Sequence, residues 1–269
     1  MNQNNYMTKE ERQSAILEHL LKYGSALVSA LSESLQVSAV TIRKDLSDLE
    51  RQGRLYRSHG KAILINPFTA NRSVNEKEKL FPEEKYSIGT AAAQLVLPND
   101  SIVIASGTTV TAFAQCLKHC PKCTAVTASL KVAQALAVNS AIDIIQLGGT
   151  LRHSSLSVVG PDGEQMLAGC TFSKLFLGID GIDFEYGFTT TDLREAHLNK
   201  VMMSVAQKTI VLGDSSKFGR RGFAKICGME EVDMLITDSH IRPSDRSALE
   251  DLGIELIVVD DVKDAIRKI

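Results

Sequence analysis

The 269-residue sequence contains no apolar run long enough to cross a bilayer, no repeat of fixed period and no low-complexity tract. Its opening, MNQNNYMTKEERQSAILEHLLKYG, lacks the basic start and apolar stretch of a secretory signal. These absences exclude a membrane-spanning architecture and a repeat array, and the expectation is a cytoplasmic protein with no membrane partner. Cysteine is sparse and odd in number, five residues, which without an export signal fits reduced thiols rather than a disulfide framework. Net charge is also scarce, at -2, which excludes a uniformly basic nucleic-acid binder. What is present is the make-up of a folded soluble protein, 44% hydrophobic and 23% charged, with length enough for two domains.

The small net charge is unevenly placed. Residues 1–65 carry +2 and the remainder -4, and Val37 to Lys61 hold six basic residues against three acidic ones. Ile16, Leu17, Leu20 and Leu21 recur at helical spacing, and a short second helix with Leu31 and Leu35 inward follows. Ser38 is a good N-cap for a third helix, in which Ile42, Leu46 and Leu49 fall at i, i+4 and i+7 and so face the other two. That turns Ala39, Thr41, Arg43, Lys44 and Ser47 outward. Small residues there permit close approach to a major groove, hydroxyls such as those of Ser38 and Thr41 bind phosphates, and Arg43 and Lys44 reach base edges. After Gly53, RLYRSHGKAILI alternates polar and apolar residues around a glycine, the pattern of a two-stranded wing presenting Arg57 and His59 to the DNA backbone. The DNA-binding segment is therefore expected over Leu27 to Leu46 and the wing.

The run VSAVTIRKDLSDLERQGRLYRSHG is similar to the N-terminal signature of the DeoR family of bacterial transcriptional regulators. The resemblance implies a winged helix-turn-helix that binds double-stranded operator DNA. Lys61 stands where the family usually carries a second glycine.

Residues 66–87, NPFTANRSVNEKEKLFPEEKYS, mix proline, asparagine and alternating charges with little apolar periodicity and read as a linker. From residue 88 the β-branched runs SIVIA, CTAVTA, IDIIQL, KLFLGI, KTIVLG, DMLIT and IELIVV alternate with helical patterns, which predicts a mostly parallel sheet covered by helices. Ligands of such sheets sit beyond the carboxyl ends of strands, so the loops after these runs carry the information. Ser106, Gly107, Thr108 and Thr109 follow SIVIA and open a helix, an arrangement suited to a phosphate. Gly149 lies in a similar loop with Arg152 nearby as an anion contact. Asp180 and Asp183 follow KLFLGI, and Asp214 and Lys217 follow KTIVLG. Carboxylates accepting from hydroxyls, with Lys217 pairing an anion, make a site for a phosphorylated polyol. CLKHCPKC has the C-x2-C spacing of half a zinc site, but four ligands within eight residues are crowded, so ordinary thiols are expected and no metal or cofactor.

SGTT, the GG at Gly148 and Gly149, FLGIDGID, Glu195 with Ala196, and DSSKFG are similar to the DeoR effector domain. That domain is related to ribose-5-phosphate isomerase and glucosamine-6-phosphate deaminase. The resemblance implies phosphate binding at Ser106 to Thr109, the positions of the isomerases' catalytic carboxylates at Asp180 and Asp183, and their lysine at Lys217. Ala105 stands where the family usually has Asp, and Ala128 where it usually has Asn, departures that bear on effector binding. The expected build is a winged helix-turn-helix (1–65), a linker (66–87) and a larger mostly parallel α/β domain (88–269). The expected function is a non-enzymatic repressor of a carbohydrate operon, a dimer or tetramer, released from DNA by a phosphorylated sugar. The alternative is a sugar-phosphate isomerase or deaminase with a fused helical module.

Overall fold

The computed structural model describes residues 7–23, 25–52, 54–58, 61–64 and 73–260, and the chain divides into two units, Met1–Ala70 and Asn71–Ile269. The first unit runs α1 (Lys9–Tyr23), β1 (Ser25–Leu27), α2 (Val28–Ser34), α3 (Ala39–Arg51), β2 (Leu55–Ser58) and β3 (Lys61–Leu64). Its strands form an antiparallel sheet in the order β1-β3-β2, so the wing gains a third strand that the sequence pattern did not announce. Ile16, Leu20, Leu31, Ile42, Leu46, Leu49 and Leu55 are fully buried in one core. Each such side chain contributes about 1.5–3 kcal/mol by leaving water, which is what holds so small a unit together.

Two acids of α3 share its inner side. Asp45 accepts from the Arg12 guanidinium, with Nη2 to Oδ1 at 3.0 Å, and Asp48 pairs with Lys9 at 2.6 Å and with Arg51. Two of the three acids that dilute the charge of this segment in the sequence are thus consumed by α1 and by α3 itself, and Arg43 and Lys44 are left exposed.

The second unit begins with α4 (Val74–Glu78) and α5 (Pro82–Ala93). Then come β4 (Ser101–Ile104), α6 (Thr108–Cys116), β5 (Cys123–Thr127), α7 (Leu130–Leu136), β6 (Ile142–Gln146), β7 (Thr150–Arg152), β8 (Ser157–Val159), α8 (Pro161–Leu167) and β9 (Lys174–Gly178). The chain continues through β10 (Gly181–Asp183), β11 (Gly187–Thr190), α9 (Leu193–Ser204), β12 (Thr209–Leu212), β13 (Ala224–Cys227), β14 (Met234–Asp238), α10 (Pro243–Asp251) and β15 (Glu255–Val259). Seven strands form a parallel sheet in the order β15-β14-β12-β9-β4-β5-β6, and they are the seven apolar runs of the sequence. Apolar clusters lie on both faces, one including Ile104, Phe113 and Phe176, the other Val103, Leu175 and Met202.

The strand order places a topological switch between β4 and β9. From β4 the chain winds outward through β5 and β6, then returns to β9 on the other side and winds away through β12, β14 and β15. Two loops leave the sheet in opposite directions at that point, opening a crevice beyond the strand ends.

The linker expected over 66–87 is corrected at its C-terminal end. Residues 65–72 lie outside the described residues, but Ser73 caps α4 through a reciprocal box with Glu76, and Pro82 opens α5 at its first turn. Lys85, Ser87 and Ile88 of α5 are buried, so this stretch packs as part of the α/β unit. Among the described residues no helix is long and apolar enough to cross a membrane.

Candidate functional site

In the first unit the exposed side of α3 takes shape from its cap. Ser38 Oγ accepts from the Thr41 amide at 3.1 Å and lies 2.9 Å from Thr41 Oγ1, so both hydroxyls gather at the positive N-terminus of the helix. Arg43 and Lys44 are exposed and make no ion pair among the described residues, while Ala39, Thr41 and Ser47 are half-buried. Val40, which sequence spacing passed over, is also open on this side, at 72% exposure. Arg57 of β2 is held differently. Glu50 Oε1 accepts from its amide at 2.9 Å and Oε2 from its Nε at 2.7 Å. His59 lies outside the described residues.

In the second unit a pocket fills the crevice at the β4/β9 switch. It is lined by Ser106, Gly107, Thr108 and Thr109 from the loop after β4, Gly178, Ile179 and Asp180 from the end of β9, and Arg152, Thr190, Glu195, Asn199 and Lys217. Val74, Lys77, Ser154 and Ser155 complete the wall. The loop after β4 comes close because two glycines allow it. Gly107 caps α6 at φ 136°, and a side chain on Gly178 would place its Cβ 2.7 Å from the Ser106 carbonyl oxygen. Backbone N–H groups at the start of α6 therefore face the pocket with hydroxyls beside them, an anion-binding arrangement. Among the described residues no aromatic ring lines the wall, and only Val74 and Ile179 are large apolar residues, so the chemistry these residues offer is that of charges and hydroxyls.

The charges are interlocked. Asp180 Oδ1 takes the Lys77 ammonium at 2.6 Å and its Oδ2 accepts from Thr190 Oγ1 at 3.2 Å. Burial pushes the Asp180 carboxyl up, but the charges of Lys77 and Lys217 outweigh it and hold the group at about 2. Burial lowers Lys217, opposed by the negative charges of Asp214 and Asp180. Its Nζ is 3.9 Å from Asp214 Oδ2, too long for a hydrogen bond, so its donors remain available to the pocket. Asp214 is nearly fully buried; burial opposes its charge, yet Lys217 and a hydrogen bond from Ser216 keep it below the usual carboxylate range. Behind the wall Lys85 is driven down to about 8 by burial and donates to the carbonyls of Lys77, at 2.7 Å, and Leu80.

Eight of the ten expected effector residues meet here: Ser106, Gly107, Thr108, Thr109, Arg152, Asp180, Glu195 and Lys217. Two do not. Asp183, at the end of β10, instead holds Arg221 through contacts of 2.6 and 2.9 Å and accepts from the amides of Glu185 and Tyr186. Gly149 has φ 137° and packs against the Val159 carbonyl, a tight turn outside the pocket wall. Arg152 lines the pocket but is committed, donating at 3.1 Å to both Asp192 and Glu195, so it shapes the wall more than it offers a free anion contact. Ala105 and Ala128 are buried in the apolar cluster that includes Val103, Leu175 and Met202 and do not line the pocket. Lys77 was missed because it lies in a charge-rich stretch without apolar period, although the S-x-x-E box at Ser73 and Glu76 signalled a helix there. In CLKHCPKC the Cys120 and Cys123 sulfurs are 4.0 Å apart, and no group of three or more metal-ligating side chains forms among the described residues.

A winged helix-turn-helix with a bare basic helix face, in one chain with an α/β unit whose switch point encloses a charged, hydroxyl-rich pocket, defines a DNA-binding regulator with a sensor domain. Residues 12–68 match the DeoR-like helix-turn-helix domain and residues 81–239 the DeoR C terminal sensor domain. The chain belongs to the DeoR family of transcriptional regulators. It is 37% identical over 253 residues to the "Putative aga operon transcriptional repressor" of Escherichia coli O157:H7, covering 93% of this chain and 94% of that one. It is 33% identical over 256 residues to the "HTH-type transcriptional repressor GlcR" of Bacillus subtilis, covering 94% and 98%. Ribose 5 phosphate isomerase A from Neisseria gonorrhoeae aligns with 54% of this chain and 55% of its own at 20% identity and TM-score 0.37.

Proposed function

We propose that the protein represses a carbohydrate operon and leaves its operator when a phosphorylated sugar fills the pocket at the β4/β9 switch. The observation that carries this reading is the pocket itself: a helix N-terminus with Ser106, Thr108 and Thr109 at one wall, and Lys77, Lys217 and Asp180 converging on the same space. The helix N-terminus and lysines suit a phosphate, and the carboxylates and Asn199 suit sugar hydroxyls. The names of the relatives in Escherichia coli and Bacillus subtilis support repression.

The first unit reads DNA in this account. Arg43 and Lys44 reach base edges from the exposed side of α3, Ser38 and Thr41 hold a phosphate at its start, and Arg57 with His59 meets the backbone from the wing. Two copies are required, because recognition helices bind half-sites one DNA turn apart, so the working species is a dimer or a tetramer in the cytoplasm. Sensing belongs to the second unit, with residues 73–87 included in it.

The isomerase or deaminase alternative is disfavoured by the same geometry. Asp180 and Glu195, the carboxylates of the wall, are each already in an ion pair, with Lys77 and Arg152 respectively, so neither is poised as a general base. The purified protein should bind a sugar phosphate by calorimetry without converting it. Turnover of a phosphorylated sugar, lost in Asp180→Asn, restores the enzyme reading.

A further inference from the structure

The first unit has a second concave feature, between α3 and the wing, lined by Val28, Arg43, Glu50, Arg57 and Lys61. Three cations and one carboxylate share it. The carboxylate is fully occupied: Glu50, in the last turn of α3, spends both oxygens on the amide and Nε of Arg57 in β2, at 2.9 and 2.7 Å. This double bond of contacts ties the recognition helix to the wing and fixes the direction of the Arg57 side chain, which is 39% exposed. The two terminal nitrogens of Arg57 are left without a hydrogen-bond partner among the described residues, and Arg43 and Lys61 are without an ion pair there. The notch is thus a preorganised cluster of donors with a surplus positive charge.

We propose that this notch seats one backbone phosphate of the bound DNA, that Lys61 and Arg57 grip it, and that Glu50 is the positioning residue that aims Arg57. The inference rests on the DNA-binding reading of this unit. A phosphate oxygen pair matches the free edge of a guanidinium, and a lysine adds charge without demanding a direction. Glu50 puts a negative charge on a DNA-facing surface, which by electrostatics alone weakens binding. Its value lies in the ordering of Arg57 before DNA arrives, which removes the entropy cost of freezing a long side chain on binding.

The two contributions have opposite signs in Glu50→Gln, and that makes the test sharp. Binding of the full-length protein to a 30-base-pair duplex of random sequence is followed by fluorescence anisotropy from 50 to 200 mM salt, since phosphate contacts are sequence-independent. Lys61→Gln is expected to lower the steepness of the log–log salt plot by about 0.9, so that the affinity lost across this range is roughly 3.5-fold smaller than for the wild type. Glu50→Gln is expected to bind roughly two- to tenfold more weakly although an anion has been removed. In an Arg57→Gln background the same change should no longer weaken binding, an outcome that a mere folding defect at Glu50 does not produce. An unchanged salt slope in Lys61→Gln, or tighter binding by Glu50→Gln in the wild-type background, overturns the proposal alone. Failure of the wild type to bind duplexes of any sequence with a salt dependence overturns the DNA-binding reading beneath it.

Discussion

Replacing Asp180 by Asn removes one charge at the centre of the pocket while leaving its shape almost unaltered. In the folded protein this carboxyl sits at about 2 against an ordinary 3.8, because Lys77 and Lys217 more than offset its burial. At 1.36 kcal/mol per pH unit the difference corresponds to about 2 kcal/mol of stability. The folded value is the depressed one, so this stability is present above the unfolded value near 4 and is lost as pH falls toward 2. The variant lacks it at every pH. The expected result is a variant about 2 kcal/mol less stable than the wild type at pH 7, roughly half that at pH 3, and within about 0.5 kcal/mol of it near pH 2. Urea unfolding followed by circular dichroism at several pH values measures the gap. A gap that stays constant between pH 7 and pH 3 refutes the reasoning, since it would arise from packing or from the Thr190 hydrogen bond and not from the charge.

Four further substitutions probe the two sites. Lys217→Ala should bind operator normally yet resist release by the cognate sugar phosphate, with roughly 10- to 100-fold weaker effector binding for one lost charge-assisted hydrogen bond; release curves identical to the wild type would leave Lys217 without a sensing role. Arg43→Ala should cost about 1–3 kcal/mol on operator DNA and relax the preference at one base pair, whereas Arg57→Ala should weaken all sequences alike; affinities equal to the wild type at fixed salt would remove the DNA contacts proposed for these two residues. Gly178→Ala drives a Cβ to 2.7 Å from the Ser106 carbonyl, so the phosphate loop must shift and calorimetry should show weakened effector binding with operator affinity retained.

Much of this architecture was legible because burial writes itself into residue order. Strands of a parallel sheet are covered on both faces, so Ser101–Ile104, Lys174–Gly178 and the rest read as continuous apolar runs. The face of α3 was legible from Ile42, Leu46 and Leu49 because a helix with one buried stripe repeats its apolar residues at that spacing. The loops directly after two of these apolar strands marked Ser106 to Thr109 and Lys217, because ligands of such sheets sit beyond the strand ends. What was not legible depended on contacts far apart in sequence. Lys77 reaches Asp180 across 103 positions, and its five-residue helix is too short to carry a period. Asp183 has the same local setting as Asp180 in the sequence, yet it turns to Arg221, a residue 38 positions on whose approach no pattern encodes. Likewise Arg152 looks like a free cation until Asp192 and Glu195, 40 and 43 positions away, are brought to it by the fold.

The central claim is that a phosphorylated sugar in the second unit governs DNA binding by the first. It is tested most directly by titrating the complex of the full-length protein and its operator, recovered from genomic DNA by affinity selection, with matched pairs of free and phosphorylated sugars. The account predicts that one phosphorylated sugar releases the DNA while its unphosphorylated partner does not, and that operator DNA weakens the binding of that same effector by the same factor. Release by the free sugar as readily as by its phosphate, or by none of the phosphorylated sugars, would contradict it.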